Sequence, residues 1–318
     1  MPYVKIELTR EGVTRGQKQE LISGITNLIT EVLNKDPHLT HVVIQEIELD
    51  DWGYAGEQVS VLREKGITAD KNNIMKKQTI IVTGAASGIG KGIAKYFLDK
   101  GDNVVINSLT ESALEKTFNE FGAGDNLAKF AGDVSDKKTG EQLVRIALEK
   151  FGSVDVLINN AGIFASKPFL EVDEAYLDTF LKTNLKGTYF ITQSVIPQML
   201  KQQGGVVINI GTPLVNHGLG GWPASAPISS KGAIHALTIQ LAAEFGKQNI
   251  RVNTVAPGVI RTPMHGDNAD QSAGLHLLNR VGETDDVSEM VYTVAKSNFI
   301  TGAIINVDGG KGAGHNLN

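Results

Sequence analysis

The 318-residue sequence predicts an α/β protein: a doubly wound, Rossmann-like parallel sheet preceded by a small β-α-β unit. Three observations carry that prediction. From residue 79 onward, short apolar runs alternate with stretches of helical period. The first of these runs opens into a glycine turn and then a helix, TIIVTGAASGIGKGIAKYF (79–97). Ahead of them, residues 2–48 form one strand–helix–strand pattern of their own.

In chain order, residues 2–8 (PYVKIEL) alternate as a strand does. Residues 14–34 place Leu21, Ile22, Ile25, Leu28, Ile29, Val32 and Leu33 at helical spacing, with Thr14 as N-cap. Residues 41–48 (HVVIQEIE) read as the second strand. A unit this small buries little surface, so it is expected to oligomerise. The polar stretch 66–77 (GITADKNNIMKK) reads as a linker, which sets the domains at 1–65 and 78–318. In the second domain, strands are predicted at 79–83, 103–107, 127–131, 155–159, 205–210, 250–255 and 303–307, with helices between them. Two of those helices, 174–201 and 228–246, are long.

Composition narrows the function. Hydrophobic residues make up 41% and charged residues 20%, as in a soluble globular protein. Net charge is −5 with no basic stripe, which disfavours nucleic acid as a partner. Absence of cysteine excludes disulfides, thiolate metal sites and thiol nucleophiles, and no metal site is predicted. No run of 18 apolar residues and no signal-peptide pattern occurs, so no membrane partner is expected and the expected location is cytoplasmic.

The glycine turn carries Gly84, Gly88 and Gly90, a G-x3-G-x-G spacing. Glycine lets backbone approach a pyrophosphate closely at a helix N-terminus. Other motifs follow in order: Asp133-Val134 after the third strand, Asn159-Asn160-Ala161-Gly162 ending the fourth, Asn184, and Pro257-Gly258 followed by Arg261-Thr262-Pro263. Phe299-Ile300-Thr301-Gly302 and Val307-Asp308-Gly309-Gly310 lie near the end. With these motifs, residues 79–313 resemble the short-chain dehydrogenase/reductase family. The resemblance implies hydride transfer between NAD or NADP and a small carbonyl or alcohol substrate. It implies that Gly84, Ser87, Gly88, Ile89 and Gly90 hold the pyrophosphate end and that Asp133 and Val134 contact the adenine. Asn160, Ala161, Gly162, Pro257, Gly258, Ile260 and Thr262 would line the rest of the cofactor's path. It also implies assembly through the two long helices, with a dimer as the minimum. Ser108 ends the second strand where NAD-selective members carry an acid, which favours NADP modestly over NAD.

In this family a tyrosine donates the proton, a lysine four residues later lowers its pKa, a serine binds the carbonyl and an asparagine completes a relay. Lys231 and Asn184 match, and Thr212 stands in the serine's place. The tyrosine position holds Pro227, which has no ionisable side chain. Tyr176, Tyr189 and Tyr292 lie in other elements, and Ser225 and Ser229 are poor acids. His217, between Thr212 and Pro227, is a minor candidate acid. Proline is tolerated at a helix start, so the helix is expected to begin at or just after Pro227, with Ala226 outside it. Three readings stay open: a dehydrogenase with altered acid–base groups, a cofactor-binding scaffold of low turnover, or an engineered knockout. The polar stretch after Met264 (HGDNADQSAGLHLLNR) is expected to cover a small substrate.

At the other end of the chain, residues 2–22 and 40–60 resemble the 4-oxalocrotonate tautomerase family. The resemblance implies that Pro2, once Met1 is removed, is a general base in keto–enol conversion, with Trp52 as an aromatic wall. Arg10 stands near the position of a carboxylate-binding arginine, and His41 falls where a second arginine is common. The other reading of this unit is an oligomerisation module.

Overall fold

The computed structural model describes residues 2–54, 57–64 and 77–314. The chain divides into two compact units, Met1–Lys76 and Lys77–Asn318. Apart from Lys77, the stretch read as a linker lies outside the described residues.

In the first unit, β1 (Tyr3–Thr9) and β2 (His41–Ile47) pair in parallel, with Tyr3 opposite His41 and Thr9 opposite Ile47. Parallel strands need a crossover, which α1 (Arg15–Leu33) supplies. Thr14 caps it reciprocally: its hydroxyl accepts from the Gln17 backbone N–H, and the Gln17 side chain accepts from the Thr14 N–H. No residue of α1 is buried, and Tyr3, Leu28, Val32, Leu33 and Val43 are exposed. Two short strands unforeseen in the sequence, β3 (Gly53–Tyr54) and β4 (Glu57–Gln58), pair antiparallel ahead of α2 (Val59–Glu64).

The second unit contains every strand the sequence predicts: β5 (Thr79–Val82), β6 (Asn103–Ser108), β7 (Leu127–Ala131), β8 (Val156–Asn159), β9 (Gly205–Ile210), β10 (Ile250–Pro257) and β11 (Ile304–Val307). They form one parallel sheet in the order β11-β10-β9-β8-β5-β6-β7. Ile80, Ile81, Val82, Val104, Val105 and Ile106 are wholly buried, because helices cover both faces. One apolar core packs around α3 (Gly88–Asp99) and α9 (Thr284–Lys296), the other around α5 (Lys137–Phe151) and α7 (Gly187–Lys201). Strand order reverses between β5 and β8, which opens a crevice at their carboxyl ends. No helix among the described residues is long and apolar enough to cross a membrane.

Two helix expectations change. The helix read over 174–201 is α6 (Glu174–Phe180), a π-helical turn (Leu181–Lys186) and then α7. The helix read over 228–246 is α8 (Ser225–Phe245), so Ala226 is helical and Pro227 is the third residue. Proline is accepted there because first-turn N–H groups have no partner inside the helix. The first intrahelical bond, from the Ile228 N–H to the Ala224 carbonyl at 3.1 Å, falls just past it.

Candidate active site

A cleft of about 460 Å³ lies at the carboxyl ends of β5, β6, β8, β9 and β10. Of the residues the sequence marks, Gly84, Ser87, Gly88, Ile89, Ser108, Asp133, Val134 and Asn160 through Gly162 line one part of it. Thr212, Pro227, Lys231, Pro257, Gly258, Ile260 and Thr262 line the rest. Gly90 and Asn184 stand behind the wall rather than in it.

The dinucleotide end is stitched by backbone. Thr83 Oγ1 accepts the N–H groups of Asn160 and Ala161, each at 3.1 Å, which aligns the ends of β5 and β8. Asn160 Nδ2 donates back to the Thr83 and Gly84 carbonyls at 2.9 and 3.1 Å. A Cβ at position 90 would lie 2.2 Å from that Nδ2, so only glycine fits. Gly88, at φ +54°, faces the cleft as the first residue of α3. These features fit a pyrophosphate: glycine backbone at a helix N-terminus. At the end of β6 the wall is Asn107, Ser108 and Leu109, without a carboxylate. Among the described residues, Asp133 is the one acid on the cleft. Burial opposes its charge, but hydrogen bonds from the Ser135 N–H and hydroxyl and the Lys182 ammonium at 3.2 Å hold the carboxyl below its ordinary range.

The reacting end is stitched by side chains. The π-helical turn carries Asn184, fully buried, at its centre. Its Oδ1 accepts from the Ile163 N–H at 2.8 Å, and its Nδ2 donates to the Ile163 carbonyl and to Ser230 Oγ. Ser230 Oγ in turn donates to the Pro227 carbonyl at 2.7 Å. Ser230, which sequence reasoning missed, therefore links Pro227 to Asn184. One residue on, Lys231 Nζ donates to the Ile210 carbonyl at 2.6 Å. Withdrawal from solvent pushes its ammonium down to about 8. Thr212 Oγ1 accepts from the Leu214 N–H and caps a short 3₁₀ turn.

No tyrosine lines the cleft among the described residues. Tyr292 packs on Tyr96 and Phe97, Tyr176 stacks on Phe180, and Tyr189 is exposed. His217, Ser225 and Ser229 are also off the cleft wall, which removes the geometric ground for His217 as the acid. Of the stretch after Met264, only His265, beside Met264 itself, reaches the wall. Arg261 anchors that stretch by pairing with Asp270 at 2.6 Å and Glu283 at 2.9 Å. Phe164, Leu214, Trp222 and Lys311 are among the further lining residues that carried no signal in the sequence. The Phe164 and Trp222 rings are 5.4 Å apart, and Lys311 Nζ sits 5.3 Å from the Trp222 ring centre.

In the first unit, the Pro2 carbonyl accepts from the His41 N–H at 2.9 Å, so Pro2 and His41 share one end of the two-strand sheet. Arg10 follows the far end of β1 and pairs with Glu48, and Trp52 follows β2 at that same end. Seven strand residues separate the ends by roughly 23 Å, so one protomer does not bring Pro2 together with Arg10 and Trp52.

Comparisons with known proteins agree with both units. A short chain dehydrogenase family model matches residues 78–273, and a tautomerase enzyme model matches residues 2–62. The chain is 34% identical over 245 residues to the (2S)-[(R)-hydroxy(phenyl)methyl]succinyl-CoA dehydrogenase subunit BbsD of Thauera aromatica, covering 74% of this chain and 97% of that protein. It is 36% identical over 248 residues to a 2,3-dihydroxy-2,3-dihydro-p-cumate dehydrogenase of Pseudomonas putida, covering 74% and 95%. Among solved structures, ElxO with NADP bound matches with a TM-score of 0.70 at 31% identity, covering 75% of this chain and all of that one.

Proposed function

The chain belongs to the short-chain dehydrogenase family, with a tautomerase domain ahead of the dehydrogenase fold, and from that premise we propose an NADP(H)-dependent oxidoreductase that interconverts a small carbonyl compound and its alcohol. One observation carries this reading: a single cleft collects the glycine turn, Asp133, the Asn160–Gly162 strand end, Thr212 and Lys231. The carboxylate-free end of β6 supports NADP over NAD, as does the NADP in ElxO.

When bound, the nicotinamide supplies or accepts the hydride. The residues of this chain do the rest. Gly84 to Gly90 and the start of α3 bind the pyrophosphate, Asp133 and Val134 take the adenine, and Pro257 to Thr262 hold the carboxamide end. The Thr212 hydroxyl orients the carbonyl oxygen. Pro227 offers no proton, so the proton is assigned to Lys231, whose ammonium loses its proton near 8. A lysine acid without a tyrosine relay supports reduced turnover, and it also supports the second reading, a cofactor-binding scaffold with little catalysis.

The deciding experiment is an NADPH titration followed by a carbonyl-substrate screen on this chain and on Pro227→Tyr. Binding with turnover in either protein supports the oxidoreductase. Binding without turnover in both leaves the scaffold, and no binding of NADPH or NADH at millimolar concentration overturns both.

For the tautomerase domain we propose that Pro2 with a free amine is a general base and that a second copy of the chain completes the site. The exposed apolar residues of α1 and β1 support such assembly. Enol ketonisation by Met1-free protein, lost in Pro2→Ala or with Met1 retained, tests the base. Light scattering tests the assembly, and a monomer at micromolar concentration refutes it. The whole reading places the enzyme in the cytoplasm.

A further inference from the structure

Resting on the oxidoreductase reading, we infer that the substrate of the cleft carries a single carboxylate, and that Lys311 is the group that recognises it. Lys311 is 3% exposed, yet it forms part of the cleft wall. A buried cation is costly unless a partner balances it. Among the described residues no carboxylate stands within ion-pairing distance of Lys311. The nearest acid, Asp308, spends its two oxygens on the Gly310 and Gly312 N–H groups, at 3.0 and 2.8 Å. Asp133, the one acid on the cleft among the described residues, is at the proposed adenine end and already faces Lys182. Burial accordingly holds the Lys311 ammonium below its ordinary value, with Asp308 only partly opposing.

The surroundings specify the rest of the ligand. The Lys311 ammonium lies over the Trp222 ring, which packs on Phe164. Leu214 and Met264 extend the apolar wall. Lys231, the second cation of the cleft, donates to the Ile210 carbonyl and is the acid of the proposed reaction, so Lys311 is the cation assigned to a charged group elsewhere on the substrate. A monoanion balances Lys311, and an apolar wall of this kind suits a short or aryl body. A small oxo acid or hydroxy acid meets both conditions; a neutral ketone would leave Lys311 buried without a counter-ion.

The test separates this inference from the activity on which it rests. NADPH binding is measured first, by its own fluorescence. The NADPH-loaded protein is then titrated calorimetrically with benzoate and with benzamide, its neutral counterpart of the same shape. Benzoate is expected to bind at least ~10-fold more tightly, as a charge-assisted contact predicts. Lys311→Met, which keeps the stem against Trp222, should erase the preference without changing NADPH affinity. Lys311→Arg should retain it. Equal affinities in the unmodified protein overturn the inference even if carbonyl reduction is found, as does a preference that survives Lys311→Met. Failure of NADPH to bind strikes the oxidoreductase reading, and benzoate against benzamide on the free protein still decides the role of Lys311.

Discussion

The two ends of the cleft are built by different means. At the end proposed for the dinucleotide, backbone builds the wall: Gly88 lies on the cleft, and Thr83 and Asn160 act by fixing main-chain groups. At the reacting end, side chains meet the ligand, and the network Pro227–Ser230–Asn184–Ile163 holds them. A site made of backbone constrains the sequence through spacing, because only glycine fits certain positions. A site made of side chains tolerates exchange, and the helix that begins at Ser225 accepts Pro227 as its third residue, at the position where the resemblance expects tyrosine.

The largest expected effect is at the backbone end. Gly88→Asp forces a side chain onto a residue at φ +54° and sets a carboxylate at the proposed pyrophosphate position. Like charges in contact cost several kcal/mol, so NADPH affinity should fall by at least ~10²-fold. Retained affinity would show that the turn is not the phosphate site. The next effect is at the other end. Pro227→Tyr restores an acid on the cleft wall and should raise carbonyl reduction by ~10²-fold with NADPH affinity unchanged. An unchanged rate in steady-state assays would mean that the proton never depended on this position.

How much of this was legible in the sequence follows the same division. The strand ends and the glycine spacing were readable because burial on both faces of a parallel sheet demands unbroken apolar runs, and the turn demands glycine. Asn184 and Lys231 were readable through resemblance alone. Ser230 was not, because a serine within a helix reads as an ordinary polar residue until its partners are known. Lys311 and Trp222 are 89 positions apart, and only the fold places that ammonium over that ring. In the tautomerase domain, Pro2, Arg10 and Trp52 were each readable, but not their separation to opposite ends of one protomer's sheet.

A smaller effect concerns pH. With Lys231 held at about 8, the proposed role makes its ammonium the acid for carbonyl reduction and its neutral amine the base for alcohol oxidation. Reduction should therefore be level below about 8 and fall ~10-fold per pH unit above it, while oxidation rises up to about 8 and then levels. Lys231→Met should remove the inflection in both directions. A reduction profile flat to pH 10 would assign the proton elsewhere and would remove the functional contrast between Lys231 and the dinucleotide end.

The smallest effect tests the contrast most directly, through one hydrogen-bonding side chain at each end. Ser230→Ala leaves the buried Asn184 Nδ2 with the Ile163 carbonyl as its single acceptor. Thr83→Val leaves the N–H groups of Asn160 and Ala161 without their shared acceptor. An unsatisfied buried donor costs about 1–3 kcal/mol, so both variants should lower the thermal midpoint by similar amounts. Their effects on function should differ. Thr83→Val loosens the strand end that lies against the dinucleotide and should weaken NADPH binding. Ser230→Ala leaves that end intact, so NADPH affinity should hold while kcat falls as Asn184 and the Pro227 turn lose their link. If the two variants weaken NADPH binding equally, the cleft behaves as one cooperative network, and the distinction between a backbone end and a side-chain end does not hold.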